Sequence, residues 1–345
     1  MILDLNKILN PHINVELDEN AKISLADFSH KKELADLWIE SFGDGENFIS
    51  SFLDSYMLPE YNVPVVFSDG KIVSALYLID FELYSNTKFL GNCAYLFAAC
   101  TKKEYRSRGF MSALVSYSAE LCKNRGLKAI FLFPQGESHK LFDFYSKLGF
   151  ETIYAAKRKE SKSGDKPPKF DFTGLRLEKK VLTDVHIFDG LYDSYVEFTA
   201  KQELAPLKDR LFYFKCASSY LEVPENSEIK TYFAVLENNV EKFCYVFYKK
   251  YKNTYYIDDI ILPKHNNTEQ TARRNFNETA NILEDFIFNS GESGDNISIV
   301  MNTLPDSFSD SKNIPLAMIL PLSDDISYIT DNLKSPVYIN MFMNI

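Results

Sequence analysis

In HKKELADLWIESF (30–42) apolar residues return every three or four positions, and Leu34, Leu37, Trp38 and Phe42 share one side. That period predicts an amphipathic helix. After GDGE the same spacing resumes with Phe48, Phe52 and Tyr56, which predicts a second one. The pattern then changes. NVPVVFSDGKIVSALYLIDFELY reads as two strands joined at Asp69-Gly70, because Asp-Gly tolerates the paired positive φ angles of a two-residue hairpin. KFLGNCAYLFAAC is apolar almost throughout and predicts a third strand, central in its sheet. EYRSRGFMSALVSYSAELC (104–122) opens polar, then carries a helical stripe of Met111, Leu114, Val115, Leu121 and Cys122 that Gly126 is placed to stop. KAIFLF (128–133) predicts a short buried strand. ESHKLFDFYSKLGF predicts a helix closed by Gly149, and ETIYAAKR a strand that completes the sheet.

The polar, doubly prolyl SKSGDKPPK (161–169) reads as a linker. Beyond it, a helix-rich stretch (183–218) precedes three strands within KTYFAVLENNVEKFCYVFYKKYKNTYYIDDIIL. A helix over 268–289, the strand NISIVMN and a closing PVYINMFMNI follow. The order of elements in the first half is thus repeated without evident identity. The expected fold class is α/β, with mixed sheets of the α+β kind, in two tandem domains. Residues 1–160 form the first, with 1–20 as an extension; 161–169 link it to a second at 170–345.

Composition narrows the function. The 345 residues are 46% hydrophobic and 25% charged, which is a globular profile. No basic-then-apolar leader and no apolar run of about 18 residues is apparent, so the expectation is a cytoplasmic protein without a membrane anchor. The net charge of −10 argues against nucleic acid as a partner. Charge is nevertheless uneven: residues 1–100 hold 15 acidic against 6 basic side chains, and residues 101–160 hold 6 against 12. The five cysteines, Cys93, Cys100, Cys122, Cys216 and Cys244, form no CxxC pair, so neither a disulfide framework nor a metal site is expected.

The basic segment explains itself at residues 106–111. A helix N-terminus exposes unpaired N–H groups and partial positive charge, and Gly109 lets an anion approach without a Cβ in the way. Arg106 and Arg108 add forked donors suited to phosphate. Taken bare, the spacing favours a solvated surface turn. A dinucleotide fingerprint would need more glycines and a parallel strand before the loop.

RSRGFM (106–111) resembles the R/Q-x-x-G-x-G/A acetyl-CoA motif of the GNAT N-acetyltransferases, and FYSKLGF (144–150) resembles their Y-x-x-x-G-F signature. LWIESFGDGENFISSFL and DGKIVSALYLIDFEL are similar to the tandem branch related to mycobacterial enhanced-intracellular-survival acetyltransferases, as is the closing PLAMILPL…VYINMFM. The likeness spans residues 21–157. It implies acetyl-CoA as co-substrate, no metal, and direct acetyl transfer without a covalent enzyme intermediate. Arg106, Ser107, Arg108, Gly109, Phe110 and Met111 would hold the pyrophosphate, with Met111 departing from the usual Gly or Ala. Ala99, Cys100 and Thr101 would run beside the pantetheine arm, Ser138 would contact CoA, and Tyr145 would protonate the departing thiolate. The acceptor is expected to be a small cationic amine or a peptide. Its base is left open among Asp44, Glu46, Asp80, Glu82 and the carboxylate of Ile345, as is homo-oligomerisation. The second half has no glycine in LPKHNNTEQTARRNF, so a degenerate copy is expected there, bordering the acceptor cleft. The rival reading is a non-catalytic acyl-CoA-binding or regulatory protein. Aminoacyl transfer from tRNA would want a basic groove, against the net charge.

Overall fold

The computed structural model describes residues 17–57, 62–134, 139–162, 173–223, 226–264, 276–290, 297–304 and 312–333. The expected roles of residues 1–16, Ser138 and Ile345, and the rest of the closing segment, fall outside them. The chain divides into two compact units. The first comprises residues 1–83, 90–152 and 317–332; the second comprises 84–89, 153–316 and 333–345.

In the first unit β1 (Ala21–Leu25) is followed by α1 (Lys31–Phe42), α2 (Glu46–Tyr56), β2 (Pro64–Ser68), β3 (Lys71–Ser85) and β4 (Lys88–Thr101). Then come α3 (Phe110–Asn124), β5 (Ala129–Leu132), α4 (His139–Ser146) and the start of β6 (Glu151–Lys162). Asp69 and Gly70 both take positive φ, 50° and 75°, which is the hairpin geometry their sequence suggests. The strand order is β1-β2-β3-β4-β5, with β1 to β3 antiparallel and β5 parallel to β4.

Strand periodicity assigns the two faces. Leu76, Leu78, Ala94, Leu96, Ile130 and Leu132 pack with Leu114 and Tyr117 of α3 and Phe142 of α4. The alternate residues Tyr77 and Phe97 meet Trp38 of α1 and Phe52 of α2. Helix α3 stops as its sequence predicts: Gly126, at φ 78°, donates to Lys123 O and Leu127 donates to Cys122 O, the pair of bonds of a Schellman motif.

The second unit runs β7 (Arg176–Lys179), α5 (Val185–Ala200), β8 (Ala205–Leu207), α6 (Arg210–Leu221), β9 (Lys230–Glu237), β10 (Lys242–Tyr251) and β11 (Thr254–Ile261). It continues with α7 (Phe276–Ser290) and β12 (Ser298–Leu304); β13 (Lys312–Pro321) then leads back into the first unit, where α8 (Asp324–Asp331) follows. Its strand order is β6-β12-β11-β10-β9-β7, with only β11 and β12 parallel. Ala280, Leu283 and Ile287 of α7 pack on Leu236, Val246 and Ile257. Two helices, an antiparallel meander, a crossover helix and a parallel strand therefore recur in both halves.

Two boundaries differ from the sequence expectation. Residues 317–332, assigned above to the second domain, belong to the first unit, because Met318–Pro321 of β13 pairs antiparallel with Ala129–Leu132 of β5. Strand β6 also continues through Ser161 and Lys162 into the expected linker, because β12 offers it a partner, Ser298 opposite Lys162.

Candidate active site

Among the described residues, strands β4 and β5 pair at Ala94 with Ile130 and at Tyr95 with Phe131. Beyond that point β5 ends at Leu132 while β4 runs on to Thr101, so the two strands part. The divergence coincides with Ala98 at φ 45°, an uncommon angle for a residue with a side chain. Ala99 resumes on the α3 face. Cys100 is buried on the opposite face beside Glu40 and Ser41 of α1, and burial pushes its thiol up to about 12. A thiol in that range stays protonated at neutral pH, so Cys100 is a packing residue rather than a nucleophile. Ser74 donates to Cys100 O at 3.0 Å and lies 2.8 Å from Thr101 Oγ1, which fixes the end of the splayed strand.

The loop that follows ends at Gly109, the N-cap of α3, in the left-handed conformation at φ 79°. No side chain caps this helix, and its first backbone bond is Ala113 N–H to Gly109 O at 3.0 Å. The amides of Phe110, Met111 and Ser112 therefore lack intrahelical acceptors at the positive end of the helix dipole. Ser107, at φ 61°, bends the approach. The arginines brace this loop. Arg106 Nε donates to Thr101 O at 3.0 Å, and Arg108 donates to Glu104 O at 3.1 Å while lying 5.0 Å from the Tyr105 ring centroid. Arg108 also lies 3.5 Å from the Asp18 carboxylate. Phe110 is buried and Met111 packs at the edge of the core, so both anchor the helix from below.

Tyr145 is the last residue but one of α4. Gly149 (φ 89°) donates to Ser146 O and Phe150 donates to Tyr145 O, a second Schellman motif. Such motifs bring the residue after the glycine onto the helix three positions before its cap. Here that contact is Phe150 on Tyr145, with ring centroids 5.5 Å apart. The Y-x-x-x-G-F spacing is thus a helix-stop geometry in its own right. Tyr145 is only 7% exposed, and burial pushes its hydroxyl up to about 12.

The candidate bases separate. Asp80 pairs with Arg125 at the C-terminal end of α3, and burial raises its carboxyl above the usual range. Asp80 and Glu82 alternate with Ile79 and Phe81 and so stand on the α3 face, away from α1 and α2. The opposite face of the sheet is the one that Trp38 of α1 meets. Asp44 lies on that side: its Oδ2 accepts Trp38 Nε1–H at 2.7 Å. Glu46 is exposed at the first position of α2. Among the described residues no three His, Cys, Asp or Glu side chains are grouped to hold a metal, and no helix is long and apolar enough to cross a membrane.

Residues 22–153 match the family model of the acetyltransferase (GNAT) domain. The fold is shared with solved structures. A probable N-acyltransferase from Enterococcus faecalis V583 superposes with a TM-score of 0.67 at 15% identity, over 88% of this chain and 72% of that one. A GCN5-related N-acetyltransferase from Anabaena variabilis gives 0.63 at 15%, over 88% and 73%. Eis1 from Mycobacterium abscessus gives 0.62 at 12% identity, over 90% and 75%. No curated protein matches significantly in sequence.

Proposed function

We propose that the first unit is an acetyl-CoA-dependent N-acetyltransferase acting on a primary amine by direct attack. The observation that carries this reading is the end of the β4–β5 pairing after Tyr95, followed by Ala98 at positive φ and by the uncapped N-terminus of α3. Bound acetyl-CoA supplies a thioester carbonyl, at which a C–N bond forms as the C–S bond breaks. The amides of Phe110, Met111 and Ser112 bind the pyrophosphate, and Gly109 leaves it room. The freed backbone of residues 97–101 lies along the pantetheine arm, where an N–H group stabilises the oxyanion. Tyr145 stays protonated at neutral pH and donates a hydrogen bond to the departing sulfur.

The second unit is a copy that binds no CoA. Its bulge residue Asp258 is already engaged, accepting from Tyr220 Oη at 2.8 Å and lying 3.1 Å from Lys249 Nζ. The burial of Tyr145 favours a second reading, an acyl-CoA-binding protein without turnover. Amine-dependent release of free CoA thiol from acetyl-CoA separates the two. The enzyme reading requires release that scales with protein and amine, and binding without release would leave only the second.

A further inference from the structure

Residues 17–20 come just before β1, in the N-terminal extension to which the sequence motifs give no role. Leu17 packs against the core that α3 covers, and Ala21 N–H donates to Asp18 O at 2.8 Å where β1 begins its pairing. Asp18 is thus tied down on both sides. Its Oδ2 lies 3.5 Å from Nη1 of Arg108, the residue just before the N-cap of α3. The rest of that guanidinium is already engaged. Its Nη2 donates to Glu104 O at 3.1 Å, and its central carbon lies 5.0 Å from the Tyr105 ring centroid. Tyr105 in turn stacks on the buried Phe110, with centroids 6.2 Å apart. Arg108 is therefore held in place with Nη1 turned to the carboxylate. The side chains are 48% and 55% exposed, and an exposed pair of this kind adds little to stability. Its effect falls instead on the charge at the helix end, where Asp18 offsets Arg108.

We propose that Asp18 is a built-in competitor for the anion cradle at the start of α3, an autoinhibitory contact that cofactor binding has to displace; the inference rests on the acetyl-CoA reading above. The amides of Phe110, Met111 and Ser112 attract an anion, and the Arg108 charge beside them adds to that pull. Until an anion binds, the Asp18 carboxylate supplies the counter-charge. Arg108 then exchanges Asp18 for a phosphate oxygen at Nη1, while Nη2 keeps its bond to Glu104 O and the loop stays braced. The displaced carboxylate stays close, because Leu17 and Ala21 hold the turn on either side. It remains a fixed negative charge beside the bound anion, and binding works against it. That opposition is strongest in dilute salt, since the Debye length falls from about 30 Å at 0.01 M to about 3 Å at 1 M.

Calorimetric titration of the full-length protein with acetyl-CoA tests this in wild type, Asp18→Asn and Glu19→Gln, at about 0.02 M and about 0.5 M NaCl. Asp18→Asn removes the charge and keeps the shape. It should tighten the Kd about three- to tenfold at the lower salt and less than about twofold at the higher. Glu19→Gln removes an exposed charge from the same turn and should change the Kd less than about twofold at either salt. The melting temperature of both variants should stay within about 1 °C of wild type. Acetyl-CoA binding that Asp18→Asn leaves unchanged or weakens overturns the proposal and leaves the cofactor reading standing. Tightening that Glu19→Gln reproduces in full also overturns it, since the contact with Arg108 would then be irrelevant. Absence of acetyl-CoA binding in all three proteins overturns both.

Discussion

Ser112→Glu sets helix stability against cofactor binding. Ser112 is the third residue of α3, half-buried in the uncapped first turn. A carboxylate there interacts favourably with the helix dipole, worth about 0.3–1 kcal/mol, and has Gly109 rather than a competing cap beside it. For a unit of this size that corresponds to a Tm about 1–3 °C higher. The same carboxylate would face a bound pyrophosphate. For unit charges about 5 Å apart at an effective dielectric constant of about 20–40, repulsion is about 2–3 kcal/mol, a roughly 30- to 150-fold weaker Kd. Thermal unfolding by circular dichroism and calorimetric titration with acetyl-CoA measure both on one sample. A variant at least as stable as wild type that binds acetyl-CoA within about twofold of it would refute the placement of the pyrophosphate at this helix end.

Three further outcomes follow from particular residues. Because burial holds the Tyr145 hydroxyl up near 12, it stays protonated across the working range, so kcat/KM should rise with pH from 6 to 10 as the amine deprotonates, without an alkaline fall. An alkaline limb near pH 8–9 that vanishes in Tyr145→Phe would contradict this. Gly149→Ala forces φ 89° on a residue with a Cβ, which would also sit 3.3 Å from Leu320 Cδ1. The expected cost is about 1–3 kcal/mol, read as a lower Tm. Lys208 of the second unit is fully buried, and its amine is lowered to about 8. Between pH 8 and about 10.5 the unfolded chain then binds more protons than the folded one, so this lysine's contribution to stability rises with pH, by an upper limit of about 3 kcal/mol. The stability difference between wild type and Lys208→Met, by urea denaturation at pH 7.5 and 10, should move in that direction; a constant difference would show that Lys208 titrates as an exposed lysine does.

The legible parts of the sequence were those written in local chemistry. The period of Leu34, Leu37 and Trp38, the Asp69-Gly70 turn, and Gly126 and Gly149 as helix stops depend on neighbours within a few residues. Strand β1 carried no such mark: AKISL is short and becomes a strand by pairing with β2. The return of β13 to β5 joins residues nearly two hundred apart, a contact that no local pattern encodes. At the site, glycine and the helix start pointed to the anion cradle, but the arginines beside them brace the loop instead. The ring cluster around Trp38 was not legible, because its members come from α1, α2, β3 and β4 and look in each segment like ordinary core residues. Alternation on the strands was the available signal, since Tyr77, Tyr95 and Phe97 are odd-numbered and share the face that Trp38 meets.

The central claim is a single acetyl-CoA site per chain, built on the uncapped end of α3. Isothermal titration of the full-length protein with acetyl-CoA tests it most directly. The account predicts saturable binding at one equivalent per chain, weakened in Ser112→Glu. Two equivalents per chain would show that the second unit retains a site, and no heat of binding at millimolar acetyl-CoA would contradict the cofactor assignment itself.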